Sequence, residues 1–261
     1  MAMSVKNARE IGKMREAGRV VSRVHERIER AVVPGVTTSE LDDIARQTLI
    51  EFGATSSFLG YGRAPGRRGF PGHICASVND VIVHGIPSKR VLKEGDIITV
   101  DVGAILNGYH GDSAWTYPVG RISPEARRLL DDTEVSLYRA VAAARSGERL
   151  GAVGAAVERF AVPMGYGVIR EYGGHGIGRS MHEEPHVPNH GDPTRGVLLR
   201  SGLTLAIEPM LTTGGEAWRE LDDGWTVVTA DGSLAAHFEH TVVVTETGGE
   251  ILTERVPVAV Q

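Results

Sequence analysis

The apolar positions near the N-terminus recur with helical spacing. They predict an amphipathic helix over residues 8–30, whose inward stripe holds Ile11, Met14, Gly18, Val21 and Ile28. Pro34 ends that unit, and Thr38 or Ser39 is expected to cap a second helix that runs to about Phe52. Two consecutive helices should therefore precede the first sheet.

Alternating and β-branched apolar runs predict the strands. These runs lie at residues 74–84, 95–105, 110–119, 166–172, 203–211, 225–229 and 234–245. A helix that begins at Pro124 should extend to about Ala144, and another should cover residues 149–163. Residues 53–76 are rich in Gly and Pro, so an irregular segment is expected there.

Two segments repeat one pattern, in which a glycine leads through a β-branched apolar stretch to a lone carboxylate. They are Gly95–Asp101 and Gly202–Glu208. Gly35 and Gly147 each precede a predicted helix. The interval between them is similar to the interval between Gly95 and Gly202. We interpret this as a duplicated helix–helix–strand unit in one domain, with halves at roughly 1–120 and 121–261; coincidence among common residue types is the alternative.

The composition is that of an ordinary globular protein, with 41% apolar and 23% charged residues in a chain of 261. The net charge of −5 does not favour a nucleic-acid-binding face, although it leaves room for a local basic patch. Cys75 is the single cysteine, which excludes an internal disulfide and fits a reducing compartment. The polar N-terminus lacks a signal core, and no run approaches the roughly 18 apolar residues of a membrane helix, so a cytoplasmic location is expected.

A hairpin turn is predicted at Asn107-Gly108, a strong signal for a two-residue loop. With that turn Asp112 lies opposite Gly103, which leaves room above the strand, and Asp101 lies two residues along on the same face. Two carboxylates on one face repel each other unless they are protonated or bridged by a metal ion. The hairpin alone does not decide between a metal site and two solvent-facing acids.

Three further residues extend this donor set. Glu208 and Glu239 each interrupt an apolar run that is typical of a buried strand, although an edge-strand position would explain them too. His175 lies in the glycine-rich stretch Gly173–Gly178, where a ligand can approach closely if the stretch is more than a plain loop. Four carboxylates balance the charge of two divalent cations, and with one histidine they suit Mn²⁺, Fe²⁺ or Co²⁺ at least as well as Zn²⁺.

Histidines elsewhere give weaker signals. The stretch His182–His186 matches the His-Glu-x-x-His pattern of zinc proteases, but that pattern needs a helix, which Pro185 disfavours. We therefore do not interpret it as a zinc-binding helix. His84 stands at the end of a predicted strand, where a lone histidine is usually structural or exposed.

Taken together, the segments that carry these residues resemble the type I methionine aminopeptidases in their short bacterial form, over nearly the whole chain. The segments are Asn79–Pro87, Gly95–Gly120, Glu171–Pro185, Gly202–Met210 and Asp223–Thr253. The resemblance implies the α/β (α+β) pita-bread fold, with an internal pseudo-two-fold and a central antiparallel sheet flanked by helices. It agrees with the duplication and makes residues 1–261 one catalytic domain.

The resemblance also implies a metal centre with two divalent ions per chain, which would be Co, Mn, Fe or Zn. The five ligands would be Asp101, Asp112, His175, Glu208 and Glu239. Asp112 and Glu239 would bridge the two ions and Asp101 would chelate one of them. His175 with Glu208 would complete the other ion.

The substrate-binding residues follow from the same resemblance. His182 would contact the scissile carbonyl oxygen, and His84 would contact the scissile amide nitrogen. The methionine side chain would lie in an apolar setting that suits a thioether. This pocket would consist of Tyr61, Phe70, Cys75 and Trp225.

The implied reaction removes the initiator methionine from nascent polypeptides whose second residue is small. Water activated by the two metal ions would attack the first peptide bond, with Glu208 accepting its proton and His182 helping to stabilise the oxyanion. The expected partners are nascent polypeptide N-termini, with the ribosome as a further candidate. Neither DNA nor a membrane is expected, and a monomer fits the family.

Several positions depart from the family pattern. Gly62–Gly72 is longer than usual and carries Arg63, Arg67 and Arg68, as either a solvated loop or a contact for an acidic partner such as ribosomal RNA. Residues that differ from the common ones also occur at Phe70, Gly173, Met181 and His237. These differences bear on substrate preference rather than on the reaction.

Other function classes stay open on the sequence alone. A proline-directed dipeptidase or aminopeptidase of the same fold usually carries a large N-terminal domain, for which this chain has no room. A non-catalytic binding module typically lacks metal ligands that are present here, and a type II enzyme would carry a helical insertion in the C-terminal half. Because the chain begins Met1-Ala2, an active enzyme should remove its own first residue.

Overall fold

The helices come in two pairs within the described residues, which are 3–66 and 68–255 of the computed structural model. The first pair is α1 (Ala8–Ala31) and α2 (Thr38–Glu51), and the second is α3 (Pro124–Ala143) and α4 (Gly151–Ala161), which a 3-10 turn at Val162–Met164 extends. The predicted helices are confirmed to within two residues at their ends. Met1, Ala2 and Arg67, on which two of the expectations rest, lie outside the described residues.

Side-chain caps fix where the first two helices begin. Asn7 accepts a hydrogen bond from the backbone N–H of Glu10, and the Glu10 carboxylate accepts one from the N–H of Asn7, which closes a capping box at α1. Thr37 and Glu40 form the same box at α2. The cap predicted at Thr38 or Ser39 is therefore wrong, because Glu40 stands at the position that closes the box with Thr37.

The strands are short except for one long hairpin, and all their pairings are antiparallel. In chain order they are β1 (Thr55–Ser56), β2 (Ile74–Val78), β3 (Val81–Val83), β4 (Ile97–Leu106), β5 (Tyr109–Pro118), β6 (Gly167–Val168), β7 (Gly173–Gly176), β8 (Glu183–Pro188), β9 (Thr204–Ile207), β10 (Met210–Thr212), β11 (Trp218–Glu220), β12 (Val227–Thr229), β13 (Ala235–His237), β14 (His240–Val244) and β15 (Gly249–Ile251). Five of them, β1, β7, β8, β11 and β15, lie outside the predicted strands. They are rich in glycine, proline or charge, or are only two or three residues long, so they carry little apolar alternation.

The sheets are arranged around the β4–β5 hairpin. One edge of β4 pairs with β5, and the other pairs with β2 and then with β1. The C-terminal half forms a sheet of order β15-β14-β9-β7-β8 and another of order β13-β10-β6. A further sheet has the order β11-β12-β3. It joins the two halves, because β3 belongs to the first half of the chain and β11 and β12 belong to the second.

The hairpin has the register predicted from its turn. Asn107 and Gly108 both have positive φ, 53° and 75°, as a two-residue type I′ turn requires. Gly103 pairs with Asp112, and Asp101 pairs with Ala114, so the two aspartates share a face on diagonal positions. The sequence prediction for this pair is confirmed.

Two of the predicted strands are interrupted in the structure, and each interruption holds a glutamate. The run at 203–211 divides into β9 and β10 around Glu208, and the run at 234–245 divides into β13 and β14 around Glu239. The register between the two runs is the same on both sides of the break, with Ile207 opposite His240 and Met210 opposite His237. The two glutamates therefore face each other at the point where strand pairing stops.

Helix α1 lies across the hairpin and contacts it closely through glycines. A Cβ on Gly18 would lie 2.1 Å from the carbonyl oxygen of Leu252, and a Cβ on Gly111 in β5 would lie 2.8 Å from the Gly18 nitrogen. The main apolar core lies between the helices and the sheets, where Val21, Val100 and Leu205 are fully buried. The mixed α/β class with antiparallel sheets and packed helices is confirmed.

No helix in the part of the chain that the structure describes is long and apolar enough to cross a membrane.

Candidate metal centre

The predicted site residues come together around one cavity of about 340 Å³. They reach it from strand ends and loops of both halves of the chain. The cavity is lined by Tyr61, Phe70, Cys75, His84, Asp101, Asp112, His175, His182, Glu208, Trp225 and Glu239. Residues far apart in sequence are thus brought to a single pocket, which carboxylates and aromatic side chains line together.

The hairpin supplies two buried carboxyl groups. Burial, aided by the charge of Glu208 and opposed by His237, raises the pKa of Asp101 to about 7. Burial and the charges of Asp101 and Glu208 raise the pKa of Asp112 well above its ordinary value. Without a cation between them, these carboxyl groups are held together only by taking up protons.

Glu239 is brought to Asp112 by pairing between β5 and the break in the β13–β14 run. The backbone N–H of Glu239 donates to the carbonyl of Ala114 over 2.8 Å, and the Ser113 hydroxyl donates to the carbonyl of Glu239 over 2.6 Å. Thr241 fixes the other side, because its hydroxyl accepts from the N–H of Asp112 and donates to its carbonyl. Burial, together with the charge of Asp112, raises the pKa of Glu239 well above its ordinary value.

His175 faces the carboxylates from the short strand β7. Its Nδ1 lies 2.8 Å from the Gly176 carbonyl, an acceptor only, so Nδ1 carries the proton and Nε2 keeps its lone pair. Nε2 lies 3.8 Å from Asp112 Oδ2 and 3.7 Å from Glu208 Oε1. Donor atoms of Asp112, His175 and Glu239 all lie within 4.8 Å of one another, a spacing that one metal ion can bridge.

The glycines around His175 serve the packing of strands rather than the entry of a ligand. A Cβ on Gly174 would lie 2.1 Å from the carbonyl oxygen of Ala206 in β9, and a Cβ on Gly176 would lie 2.2 Å from that of Glu184 in β8. The expectation that small residues here clear space for a ligand is therefore wrong for these two positions. They let three strands approach closely enough to hold the imidazole in place.

Carboxylate oxygens without hydrogen-bond partners indicate that this donor set fits a bound cation. Asp101 Oδ1, Asp112 Oδ1 and Glu239 Oε1 are buried and have no hydrogen-bond partner among the described residues. Buried carboxylate oxygens without partners are costly unless a cation meets them. A hard, oxygen-rich set with one imidazole nitrogen is the chemistry that Mn²⁺, Fe²⁺, Co²⁺ or Zn²⁺ accepts.

Glu208 differs from the other carboxylates because three histidines lie near it. Its Oε2 lies 3.4 Å from His237 Nε2, and His175 and His182 are also near. Burial acts to raise the pKa of Glu208, but the contact with His237 and the neighbouring imidazoles outweigh it, and the pKa lies below its ordinary value. His237, noticed in the sequence only as a departure from the family, thus emerges as the partner of Glu208.

The two further histidines line the same cavity. His84 has a left-handed backbone with φ of 60°, and its ring meets Tyr172 edge to face at 5.9 Å. Burial lowers the pKa of His84. Partial burial and the nearby His175 lower the pKa of His182 to about 4, so this ring is neutral at pH 7.

The apolar side of the cavity contains three of the predicted pocket residues and two that were not predicted for it. Phe70 meets Trp225 edge to face at 5.3 Å, and both pack in one cluster with Cys75. Phe58 and Met181 belong to this cluster as well. Burial and the charge of Asp101 raise the pKa of the Cys75 thiol, which keeps it neutral.

Gly103 explains how Phe58 reaches the pocket. A Cβ at this position would lie 2.7 Å from Ser57 Cβ and 2.8 Å from Phe58 Cε1. The space expected above the strand at Gly103 is therefore filled by the 57–58 segment. Sequence alone gave no signal for Phe58, which lies in the predicted irregular segment.

Tyr61, the fourth predicted pocket residue, lies outside this apolar cluster. Its hydroxyl lies 2.7 Å from His182 Nδ1. Of the basic segment beside it, Arg63 and Arg68 line a separate surface depression next to Phe70, and Arg67 lies outside the described residues.

The zinc-protease pattern is excluded as a helical metal site. Residues Glu183–Pro188 form strand β8, so His182 and His186 do not share a helix face. The rejection of this pattern on account of Pro185 is confirmed.

Comparison with known proteins identifies the family of this chain. Residues 12–246 match the model of metallopeptidase family M24. Methionine aminopeptidase 1 of Bacillus subtilis (strain 168) is 51% identical over 95% of this chain and 98% of its own length. Methionine aminopeptidase 1 of Mycobacterium tuberculosis (strain CDC 1551 / Oshkosh) is 48% identical over 95% of this chain and 94% of its own length.

Solved structures give the same result for the fold. Methionine aminopeptidase from Thermotoga maritima superimposes with a TM-score of 0.93 at 42% identity, over 97% of this chain and all of that chain. An Xaa-Pro dipeptidase from Bacillus anthracis superimposes with a TM-score of 0.75 at 24% identity, over 97% of this chain but only 62% of that chain. The second likeness concerns the shared pita-bread fold alone. On the first likeness and the close relatives, the chain belongs to the methionine aminopeptidases of metallopeptidase family M24.

Proposed function

We propose that this enzyme removes the N-terminal methionine from nascent polypeptides whose second residue is small. One observation carries the proposal: a cation-binding set of carboxylates and an apolar, sulfur-tolerant pocket share a single cavity of about 340 Å³. A cavity of this size suits one side chain and the adjoining peptide bond. The names of the relatives support the same substrate class.

The proposed cofactor is a pair of divalent cations, held by the four carboxylates and the imidazole. Asp112 and Glu239 would bridge the pair, Asp101 would complete one side, and His175 with Glu208 would complete the other. The unpaired buried oxygens of Asp101, Asp112 and Glu239 support this assignment. When bound, the cations would supply Lewis acidity, which lowers the pKa of water and polarises the scissile carbonyl.

The proposed work of the side chains follows from their charges. Glu208, whose pKa lies below its ordinary value, is the ionised carboxylate that would accept a proton from the attacking water. His182 would donate to the scissile carbonyl oxygen as negative charge develops there. His84, half-buried across the cavity, would contact the scissile amide nitrogen.

The proposed methionine pocket is the apolar cluster on the other side of the cavity. Phe70, Trp225 and Cys75 would surround the thioether, and Phe58 and Met181 would close the bottom of the pocket. Because the Cys75 thiol is neutral, binding of a thioether beside it would not bury a charge. Tyr61 would lie at the mouth of the cavity.

The proposed setting is the cytoplasm, where nascent chains are made, with the protein acting as a single catalytic domain and as a monomer. The ribosome is a further proposed partner through the exposed basic segment at Arg63 and Arg68. A net charge of −5 does not favour general binding of nucleic acid.

The proposal is tested by methionine release from Met-Ala-Ser and Met-Leu-Ser after reconstitution with Mn²⁺, Co²⁺, Fe²⁺ or Zn²⁺. We expect cleavage of the first peptide, little cleavage of the second, and no hydrolysis of Ala-Pro. Asp112→Ala should abolish release, whereas Asp131→Ala, at an exposed position of α3, should not. Cleavage of Ala-Pro in preference to Met-Ala-Ser would move the assignment to the proline-directed enzymes, and metal binding without any cleavage would favour a binding module.

A further inference from the structure

The contact between Tyr61 and His182 joins two residues that are far apart in sequence at the mouth of the cavity. The Tyr61 oxygen lies 2.7 Å from His182 Nδ1, and the two rings are tilted with centroids 5.2 Å apart. The distance is that of an ordinary hydrogen bond. It occupies one of the two ring nitrogens of His182, a residue that lines the cavity, and leaves the other, Nε2, available to a ligand.

The backbone of Tyr61 is held in place by hydrogen bonds, although 42% of the surface of the residue is exposed. The N–H of Tyr61 donates to the carbonyl of Phe58 over 2.8 Å, and the N–H of Phe70 donates to the carbonyl of Tyr61 over 2.9 Å. Gly60 donates to the Phe70 carbonyl over 2.8 Å. These bonds fix the backbone of Tyr61 in the segment that also carries the apolar pocket, and the contact with His182 orients its side chain.

The direction of the hydrogen bond follows from the acidities of the two groups. A neutral imidazole has one N–H and one lone pair, and the partner of one nitrogen sets which of them carries the proton. A phenol is a much stronger donor than a neutral imidazole N–H, and an imidazole lone pair is a better acceptor than a phenol oxygen. The favoured arrangement is therefore O–H of Tyr61 donating to Nδ1 of His182.

We propose that Tyr61 is a positioning residue that holds His182 in the tautomer with the proton on Nε2. In this tautomer the nitrogen left for the cavity is a hydrogen-bond donor, as the oxygen of the scissile carbonyl requires while it gains charge. In the opposite tautomer the same nitrogen would present a lone pair to that oxygen and repel it. The inference rests on the proposed role of His182 at the scissile carbonyl.

This role differs from that of a wall of the methionine pocket. Tyr61 is absent from the apolar cluster formed by Phe70, Cys75 and Trp225. A pocket wall would act through its ring and would change methionine binding, which is seen in KM. A positioning residue acts through its hydroxyl and changes the transition state, which is seen in kcat.

Tyr61→Phe separates the two roles, because it removes the hydroxyl and keeps the ring. We expect kcat for Met-Ala-Ser to fall about three- to tenfold, as for the loss of one net hydrogen bond, with KM little changed. The matched control is Tyr166→Phe. It removes a hydroxyl that donates to Asp132 Oδ2 at a distance of 2.6 Å, and neither residue lines the cavity. The control should keep the kcat of the wild type.

The tautomer itself can be read without turnover, from the ¹⁵N chemical shifts of the histidine ring nitrogens in the metal-free protein. The His182 signals are assigned by their loss in His182→Asn. We expect Nε2 of His182 to be protonated and Nδ1 unprotonated in the wild type, and a mixture of the two tautomers in Tyr61→Phe.

Two results would overturn the inference. One is a wild-type His182 with the proton on Nδ1, and the other is a Tyr61→Phe enzyme with the kcat of the wild type. If the wild type released no methionine with any cation, the proposed function would fall, and the nitrogen shifts would still decide the tautomer.

Discussion

Burial raises the free energy that is needed to ionise the carboxyl groups of this site. The pKa values of Asp101, Asp112 and Glu239 are raised, Asp101 to about 7, because each group is removed from water and faces other carboxylates. Glu208 alone has a lowered pKa, because His237 and two other imidazoles lie beside it. The site therefore contains carboxyl groups that hold their protons more tightly than usual and one carboxyl group that ionises more readily than usual.

Metal binding should release protons at pH 7. Metal ions bind carboxylates in their deprotonated form, so Asp101, Asp112 and Glu239 must give up the protons that their raised pKa values retain. Affinity should accordingly rise with pH. Calorimetric titration with Mn²⁺ in two buffers of different ionisation enthalpy measures the number of protons, which we expect to be about one or more per chain at saturation.

Asp112→Asn supplies the control for this titration, since it removes one of the groups that must be deprotonated. The variant should bind more weakly and release fewer protons. A binding enthalpy that is independent of the buffer would show that the carboxyl groups are already ionised in the metal-free protein.

Glu208→Gln should lower kcat for Met-Ala-Ser by about a hundredfold or more, because an amide cannot accept the proton of the attacking water. Metal content must be measured on the same samples, since Glu208 is also a proposed ligand. Glu220→Gln, an exposed glutamate on β11, is the matched control and should be fully active. Undiminished turnover in Glu208→Gln would remove Glu208 from the role of base.

The secondary elements show where sequence reasoning succeeded. The turn at Asn107-Gly108 determined the register of β4 and β5, because only a few residue pairs accept positive φ at both turn positions. That register alone placed Asp101 and Asp112 on one face. Long elements with periodic apolar residues, such as α1 and α3, were equally accessible.

The elements that the sequence did not reveal are those stabilised by tertiary contacts. Strand β7 is Gly-Gly-His-Gly, with no apolar pattern, and it forms because β8 and β9 pair with it on both sides. Phe58 and His237 entered the site for the same reason, through close approaches at Gly103 and at the strand break beside Glu239. Composition carries no signal for such approaches, and the roles of the ligands came from family resemblance rather than from spacing.

Gly174→Ala should destabilise the protein through strand β7. Its Cβ would lie 2.1 Å from the carbonyl oxygen of Ala206, and this atom belongs to a paired backbone that cannot move without breaking the sheet. We expect the free energy of unfolding to fall by about 1–3 kcal/mol. The measurement is urea denaturation of the metal-free protein.

Gly12→Ala is the same chemical change in a different setting. It should raise the free energy of unfolding rather than lower it. Gly12 lies in α1, and a Cβ there meets nothing within 4 Å among the described residues. Alanine is the better helix former, so we expect a gain of about 0.5–1 kcal/mol. Equal effects of the two substitutions would show that strand spacing at Gly174 is not what limits stability.

At the scale of the whole molecule, the site lies where the two halves meet. The first half brings Asp101 and Asp112 on the hairpin, and the second brings His175, Glu208 and Glu239 on the sheet around β9 and β14. Helix α1 covers the hairpin on its other side. Whatever holds α1 to β5 therefore helps to hold one half of the metal site in place.

His25 is the polar link between α1 and β5. Its ring is fully buried, with Nδ1 2.9 Å from the Tyr117 hydroxyl and Nε2 2.9 Å from the Ser113 carbonyl. Because the Ser113 carbonyl can only accept, Nε2 carries the proton and Nδ1 accepts from Tyr117. Burial, with the charge of Arg255, lowers the pKa of His25 from 6.5 to about 3.

The lowered pKa predicts that His25 makes the fold sensitive to acid. The unfolded chain takes up a proton at His25 below pH 6.5 and the folded protein does not until about pH 3, so the stability from this residue is complete above pH 6.5 and is lost as the pH falls between these values. From pH 7 to pH 5 the loss should be about 2 kcal/mol.

His25→Gln should be less stable than the wild type at pH 7, yet should lose about 2 kcal/mol less over this interval, because glutamine does not titrate. Urea denaturation of both metal-free proteins at pH 7 and pH 5 measures the difference, in which the titration of the carboxyl groups cancels because both proteins share it. Parallel losses in the two proteins would mean that His25 takes up its proton as readily in the folded state as in the unfolded one, and that α1 is not held to the hairpin by a neutral imidazole.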